Sequence, residues 1–462
     1  MQNVVSGIQR HASLVLVALL LAAPALPFPD VGFWRGMRPF LIQTSAFTLL
    51  LFLLAGLSWS PVGLKRFAAT GPNVAILVFT AWCALSLLLI PQQGQAVKFA
   101  AHELLRIVAG MAVYFAAMYW FGSRERQNLV LYALLLGGVA AAIAGVVTYM
   151  WRQEATGALG NRQLLAGVLV ILTPLAAAFS VRGLLDFRRG LALVSFVLLA
   201  AALILARNRS SWAGALVGLS VVGGLALTDP SIREHVVGRR LLVAPALALV
   251  ACAGLFFAFS GSSGATRARL GTLTELSRDN SFQNRLDLWT VGAKMVAEKP
   301  ITGHGLGSFV RLAGRYDPQF STPSRVDRVG PTLKSNAHNT YVTVAAQLGL
   351  VGLALYLSVF VGFFVRALRS LGRVGSDTRR WLLIGSMGAI AAQMVDAIGN
   401  PGWEFSEVSS LLWLVLGFGM AATRTHGERA AAPRSSGERT ADGEGGRRRG
   451  GSLPPSDIPL AS

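Results

Sequence analysis

The sequence predicts an all-α polytopic membrane protein with about twelve transmembrane helices and one large, mostly helical loop between the ninth and the tenth. Apolar residues make up 53% of the 462 residues and charged residues only 14%, whereas soluble domains are about 25% charged. A soluble globule of this size needs a more polar surface. Apolar runs of the length that crosses a bilayer core, about 20 residues, also recur along the chain.

The apolar runs divide the chain into spans and connections. The candidate spans are residues 13–28, 40–59, 72–91, 99–121, 128–150, 164–181, 190–206, 211–228, 241–260, 340–365, 381–399 and 405–423. The first run also resembles a secretory signal, because Arg10 precedes it and Ala22-Ala23-Pro24-Ala25 lies near its end. We favour an uncleaved anchor, since further spans follow at once.

Lysine and arginine in the short loops predict the orientation of these spans. The even-numbered loops carry 15 of them, and the odd-numbered short loops carry 7. Basic loops favour the cytoplasmic side. We therefore expect both termini in the cytoplasm and the odd-numbered loops, including the long one, on the outer face.

The expected organisation has four parts. Residues 1–260 hold spans one to nine, 261–338 form the outer loop, 339–423 hold spans ten to twelve, and 424–462 form a disordered cytoplasmic tail. Apolar residues at steps of three and four predict an amphipathic helix from Ser281 to Lys299 in the loop. The loop also contains Trp289, Phe309 and Phe320, enough for a small core, and a glycine-rich turn at Gly303–Gly307.

Composition also excludes several functions. The two cysteines lie in apolar runs, so a disulfide framework or a metal cluster is not expected. The net charge of +20 is concentrated beside the spans, which is typical of membrane topology and not of nucleic-acid binding. The outer loops lack the paired acids that hold a divalent ion. We therefore expect neither metal nor cofactor.

Arginines on the predicted outer side run against the charge pattern. Arg162 lies just before the sixth span, and Arg207 and Arg209 lie in a link of about four residues between the seventh and eighth. A single arginine at such a place often contacts lipid head groups. Several on one side, joined by Arg285 in the loop, favour a phosphorylated lipid, because guanidinium groups bind phosphate oxygens in pairs and stay charged.

Four other polar residues mark the membrane surface. His338 lies where the long loop re-enters the membrane. The unperturbed pKa of histidine is close to neutrality, which makes His338 a candidate general base. Asp396 lies near the outer end of the eleventh span, where an acid needs a cation or a histidine as partner. Glu103 and Arg106 are three residues apart on one helix face, which predicts an ion pair more than a substrate role.

Five segments together resemble the O-antigen ligase and polymerase superfamily, in particular the O-antigen ligases. They are Arg209-Ser210-Ser211-Trp212, Arg285–Trp289, Pro300–Phe309, His338-Asn339-Thr340-Tyr341 and Gln347–Leu353. They occur in the family's order within about residues 160–400. The chain has Gln347 where the family usually has Glu, so that acid is absent here.

The resemblance implies a membrane glycosyltransferase of the GT-C-like kind in the bacterial inner membrane, with its active site facing the periplasm. Its donor would be a glycan on undecaprenyl pyrophosphate, and its acceptor a sugar hydroxyl of the lipid A–core. His338 would accept the proton of the acceptor, and Arg209 and Arg285, with Arg207 and Arg162, would bind the pyrophosphate. Asp396 would orient His338 or pair with an arginine.

Other activities remain open at this stage. An O-antigen polymerase would use a second lipid-linked glycan as acceptor, and a protein O-oligosaccharyltransferase would use a protein hydroxyl. A transporter of polyprenyl phosphate or anionic lipid is the hypothesis from a different class. Basic residues at midplane would favour transport, whereas clustering around an outer histidine favours transfer.

Overall fold

The computed structural model describes residues 71–90, 94–120, 124–182, 189–228, 280–320, 336–374 and 378–423. Every regular element in these ranges is helical, as predicted. The α-helices are α1 (Gly71–Leu85), α2 (Gly94–Trp120), α3 (Arg124–Arg152), α4 (Arg162–Arg182), α5 (Arg189–Leu205), α6 (Arg209–Ala226), α7 (Asn280–Glu298), α8 (Ser308–Tyr316), α9 (Thr340–Leu371), α10 (Thr378–Asp396) and α11 (Ser406–Ala422). Short 3-10 turns lie at Ser86–Leu89, Gly157–Leu159 and Pro318–Phe320.

Nine of the predicted spans coincide with described helices, namely α1 to α6 and α9 to α11. Five helical stretches are long and apolar enough to cross a membrane: Gly71–Leu89, Ala96–Tyr119, Gln127–Arg152, Arg162–Val181 and Thr340–Leu371. Leu191–Leu205 and Ser406–Ala422 are shorter apolar helices. The predicted spans 13–28, 40–59 and 241–260 and the tail 424–462 lie outside the described residues, so the count of twelve and the domain limits stay predictions.

Helix α10 is the central element of the bundle. It packs against α4, α6 and α11, and 14 of its 19 residues are buried. Its contact with α6 is close because small residues face each other. A Cβ at Gly214 would lie 2.4 Å from the Ala392 carbonyl oxygen, and one at Gly218 would lie 2.6 Å from that of Gly388. Small residues let helix backbones approach in this way in membrane bundles.

The helices alternate in direction, so the links α3–α4, α5–α6 and α10–α11 and the start of α9 lie at the same end of the bundle. The backbone N–H of Thr340, at the start of α9, donates to the Ala397 carbonyl just after α10. The Asn400 amide donates to the Gln163 carbonyl in the first turn of α4. Arg207, at the start of α6, contacts Tyr149 in the last turn of α3. We call this the site end of the bundle, and the end that carries Arg366 and Arg380 the opposite end.

Residues 280–320 form a small unit at the site end. This unit holds α7 and α8, and the predicted amphipathic helix 281–299 is observed at Asn280–Glu298. Phe309 is fully buried in a cluster that Trp289 and Phe320 flank, as the sequence predicts. The Trp289 indole N–H also donates to the Ala337 carbonyl at 3.0 Å, which joins this unit to the start of α9.

The glycine-rich turn docks onto a kink in α9. Gly349 has φ 70° and ψ −178°, which interrupts the helix and exposes three carbonyl groups. The carbonyls of Ala346, Gln347 and Leu348 accept hydrogen bonds from the His304 backbone, the Gly305 backbone and the Trp82 indole, respectively. These turn amides therefore hold α9 and are not a phosphate cradle.

Candidate active site

His338 lies two residues before the start of α9, in a conformation that its neighbours impose. Its φ is +49°, a backbone angle that residues other than glycine rarely adopt. Its N–H donates to the Asn336 carboxamide oxygen at 2.7 Å. The Asn339 side chain caps α9 by accepting from the N–H groups of Tyr341 and Val342. The residue is buried, with 6% of its surface exposed. Such strain often accompanies a functional position.

Helix α7 brings Arg285 to the end of α10. Trp289 is fixed on Ala337, beside His338, and Arg285 lies one helical turn earlier on α7. The guanidinium reaches Gly399, since a Cβ built there would lie 3.4 Å from the Arg285 Nη1 atom. It also interacts electrostatically with Asp396. The Arg-x-x-x-Trp spacing thus places a cation and an anchor on one helix.

Asp396 is the last residue of α10, and its side chain is completely buried. One carboxylate oxygen accepts from the Ser210 hydroxyl at 2.9 Å and from the Ser211 hydroxyl at 2.6 Å. The other accepts from the Asn400 amide at 3.0 Å. Both serines belong to the first turn of α6. The electrostatic interaction with Arg285 agrees with the expected pairing of Asp396 with an arginine, and both expected roles of Asp396 stay predictions.

Arg209 and Arg207 lie on either side of Asn208 at the start of α6. Arg209 is the first helical residue, is half-buried, and is followed directly by the two serines on Asp396. Arg207 has φ +53° and turns toward α3, where its guanidinium donates to the Tyr149 hydroxyl at 2.8 Å and stacks on that ring at 5.1 Å. Tyr149 therefore fixes the direction of Arg207.

Arg162 occupies the same position on α4 that Arg209 occupies on α6. It is the first residue of the helix and is half-buried. Asn161 accepts from the N–H of Gln163, and the Gln163 carbonyl accepts from Asn400. Because Asn400 also binds Asp396, the first turn of α4 is tied to the same carboxylate. A cation in the first turn opposes the helix dipole, so both arginines call for an anion nearby.

A second polar cluster confirms the predicted ion pair. Arg106 contacts the carboxylate of Glu103, donates to the Glu404 carbonyl at 2.9 Å, and stacks on Trp403 at 5.6 Å. The Glu404 carboxylate accepts from Asn336, the residue that holds the His338 N–H. Arg106 thus supports the loop beside His338 and is committed to protein contacts.

The polar residues that connect the candidates have no assigned role among the sequence-based predictions. They are Ser210, Ser211, Asn336, Asn400 and Glu404. The four-residue spacing of Asp396 and Asn400, and the two serines after Arg209, are local signals of this connection. Asn336 and Glu404 are 68 residues apart and carry no such signal. Within the described ranges, no three His, Cys, Asp or Glu side chains form a metal-binding group.

Comparison with known proteins adds an independent finding. Residues 194–357 match the model of a family described as O-antigen ligase. A candidate polysaccharide ligase of Rickettsia bellii (strain RML369-C) is 26% identical over 144 residues, which are 30% of this chain and 32% of that protein. The alignment thus spans about a third of the relative's length. The family match includes four of the candidates: Arg207, Arg209, Arg285 and His338. Arg162 and Asp396 lie outside it.

Proposed function

We propose that this chain, a member of the O-antigen ligase superfamily, transfers O-antigen glycan from undecaprenyl pyrophosphate to the lipid A–core on the periplasmic side of the inner membrane. The family match and the relative support a glycan-transferring ligase or polymerase in general. The donor, the acceptor and the residue roles are our proposal.

One observation carries the proposal. Four elements that are far apart in sequence bring a histidine and several arginines to the same end of the bundle, around one buried carboxylate. His338 precedes α9, Arg285 lies on α7, and Arg209 starts α6. Asp396, the last residue of α10, is joined to α6 by hydrogen bonds from Ser210 and Ser211, which lie 186 and 185 positions earlier in the chain, and it interacts electrostatically with Arg285 on α7. A base beside a group of permanent cations suits transfer from a pyrophosphate.

The reaction is a direct displacement at the anomeric carbon. The acceptor hydroxyl attacks this carbon while the imidazole of His338 takes its proton. The new carbon–oxygen bond forms as the bond from the sugar to the pyrophosphate oxygen breaks, and the electron pair leaves with the pyrophosphate. Attack from the opposite face inverts the anomeric configuration.

The arginines stabilise the leaving group. Arg209 and Arg285 are assigned to the pyrophosphate, with Arg207 and Arg162 at the edges of the same region. Preorganised cations help most where charge grows during the reaction. Since guanidinium groups remain protonated, they supply this charge without a metal ion, and we propose a metal-independent transferase.

A polymerase and a protein O-oligosaccharyltransferase share this donor chemistry and differ in the acceptor. A lipid transporter requires none of the proton transfer assigned to His338. The acceptor assay below therefore separates the three transfer activities from one another, and a transporter would leave the donor intact.

The test uses the purified full chain with undecaprenyl-pyrophosphate glycan and lipid A–core in buffer containing EDTA. Product on the lipid A–core supports the ligase, and elongation of the donor on itself replaces it with the polymerase. Transfer only to an added protein acceptor favours the oligosaccharyltransferase. An intact donor with every acceptor contradicts the proposed function, and loss of product in EDTA that magnesium restores contradicts the metal-independent mechanism.

A substitution at His338 must tolerate the positive φ of this residue. His338→Asn is the informative change, because asparagine tolerates positive φ and its amide cannot serve as a base. We expect the rate to fall about 10²–10⁴-fold. Gln153→Asn is the matched control, since Gln153 also has positive φ (57°) but is exposed in the α3–α4 link. Wild-type rates for His338→Asn would remove His338 as the base.

A further inference from the structure

A basic cavity lies at the opposite end of the bundle, away from the candidate active site. Its volume is about 420 Å³, within the range of small-molecule sites. Helices α1 and α9 form its walls. It is lined by Gly71, Pro72, Gly362, Val365, Arg366, Arg369, Ser370 and Arg373.

Three arginines on one helix side give this cavity its charge. Arg366, Arg369 and Arg373 follow one another at steps of three and four, so they project from the same side of α9 and the turn after it. Arg366 is half-buried, whereas Arg369 and Arg373 are exposed. Among the described residues that line the cavity, none is acidic. The exposed Arg369 and Arg373 carry like charges that repel each other, and an anion held between them relieves that repulsion.

The other wall adds to the positive potential. Gly71 and Pro72 form the first turn of α1, whose N-terminus carries the positive end of the helix dipole. A Cβ at Gly362 would lie 3.4 Å from Pro72 Cγ, so the two helices touch at the base of the cavity. The cavity is therefore closed on one side and lined with positive charge.

The apolar residues beside the cavity indicate that the anion is attached to a lipid. Val361, Val365 and Leu368 lie on α9 at steps of four and three and are 59%, 40% and 54% exposed. This stripe runs along a helix long and apolar enough to cross a membrane. A soluble anion would not contact this stripe. A lipid would, because its acyl chain packs along the stripe while its phosphate contacts the arginines.

We propose that this cavity binds the phosphate head group of an anionic membrane phospholipid. The arginines hold the phosphate oxygens in paired hydrogen bonds, and the stripe from Val361 to Leu368 holds an acyl chain. The site is separate from the proposed glycan transfer and does not depend on it.

The test measures lipid retention by the purified full chain. The chain is delipidated in neutral detergent and mixed with phosphatidylglycerol or phosphatidylcholine, and native mass spectrometry records the lipid that stays bound. We expect at least tenfold preference for phosphatidylglycerol. The combined change Arg366→Gln, Arg369→Gln and Arg373→Gln should abolish this preference.

The matched control removes three exposed cations at the site end through Lys294→Gln, Lys299→Gln and Arg311→Gln. It loses the same net charge and should keep the preference. Equal loss in both triple variants would overturn the proposal in favour of general charge attraction. Displacement of phosphatidylglycerol by inorganic phosphate at millimolar concentration would also overturn it, because the site would then hold a free anion.

A single change guards against misfolding of the triple variant. Arg369 is exposed, so Arg369→Gln should fold normally, and we expect it to weaken phosphatidylglycerol retention several-fold. Arg369→Lys should weaken it less, because it keeps the charge and loses only the paired hydrogen bonds. Unchanged retention in Arg369→Gln, in protein that melts like wild type, would contradict the site.

Discussion

Replacing Gly349 with alanine should disconnect the unit that carries Arg285 from the helix that follows His338. The residue has φ 70° and ψ −178°, a region that only glycine occupies readily. A Cβ at this position would lie 2.0 Å from the Ile301 carbonyl oxygen and 2.8 Å from the Gly303 nitrogen. Both neighbours are backbone atoms, so the strain cannot be relieved by turning a side chain. The glycine-rich turn must separate from α9.

The cost follows from the contacts that separate. The backbone strain is worth about 1–3 kcal/mol. The turn also loses the hydrogen bonds from the His304 and Gly305 N–H groups to α9 and from the Leu350 N–H to the Pro300 carbonyl. Each such bond contributes about 0.5–1.5 kcal/mol. The expected destabilisation is therefore roughly 2.5–7.5 kcal/mol.

Thermal unfolding in detergent and the glycan-transfer assay measure the two consequences. We expect Gly349→Ala to melt well below wild type and to lose transfer, because α7 then no longer positions Arg285. Gly223→Ala is the matched control: this glycine lies in α6, is exposed, and has no atom within 4 Å of a built Cβ. Alanine there should be neutral or stabilising by up to about 1 kcal/mol. Equal melting and equal rates for both variants would refute this account of the kink.

Three further results are expected. Arg285→Lys should reduce the rate of transfer at least tenfold although the charge is kept, because lysine cannot bind two phosphate oxygens at once. Arg311→Lys, at an exposed position, should leave the rate unchanged. Equal rates in the two variants would assign Arg285 to protein contacts alone. Asp396→Asn should lower both the melting temperature and the rate, since an amide cannot accept all three hydrogen bonds that the carboxylate accepts from two serines and an asparagine, and an unchanged melting curve would contradict a joining role. His304 is buried, and its pKa is lowered, chiefly by that burial. As the pH falls below about 6.5, the unfolded state therefore binds a proton at this histidine before the folded state does, which favours unfolding. Wild type should lose more stability between pH 7 and 5 than His304→Gln, and an equal loss in both proteins would contradict this.

Much of the fold was accessible from the sequence because it depends on local patterns. Apolar run length located the helices from α1 to α6 and from α9 to α11, and steps of three and four located α7 within one residue at each end. The ion pair of Glu103 and Arg106 was also accessible, because residues three apart on a helix share a face. In the same way, the arginines that oppose the charge pattern lie at the starts of α4 and α6.

Which of these residues lie together depends on packing between segments that are distant in the sequence. Asp396 meets Ser211 across 185 positions, and Asn400 meets Gln163 across 237. No local pattern encodes such pairs, because they arise only when α10 packs between α4 and α6. The kink at Gly349 likewise depends on a distant segment, because the turn that contains His304 and Gly305 hydrogen-bonds to the carbonyls beside it. The basic cavity exists only because the start of α1 lies against the end of α9. Local sequence patterns predict the helices and the charges that they carry. Packing determines which charges meet, because contact between distant segments depends on the shapes of whole helices.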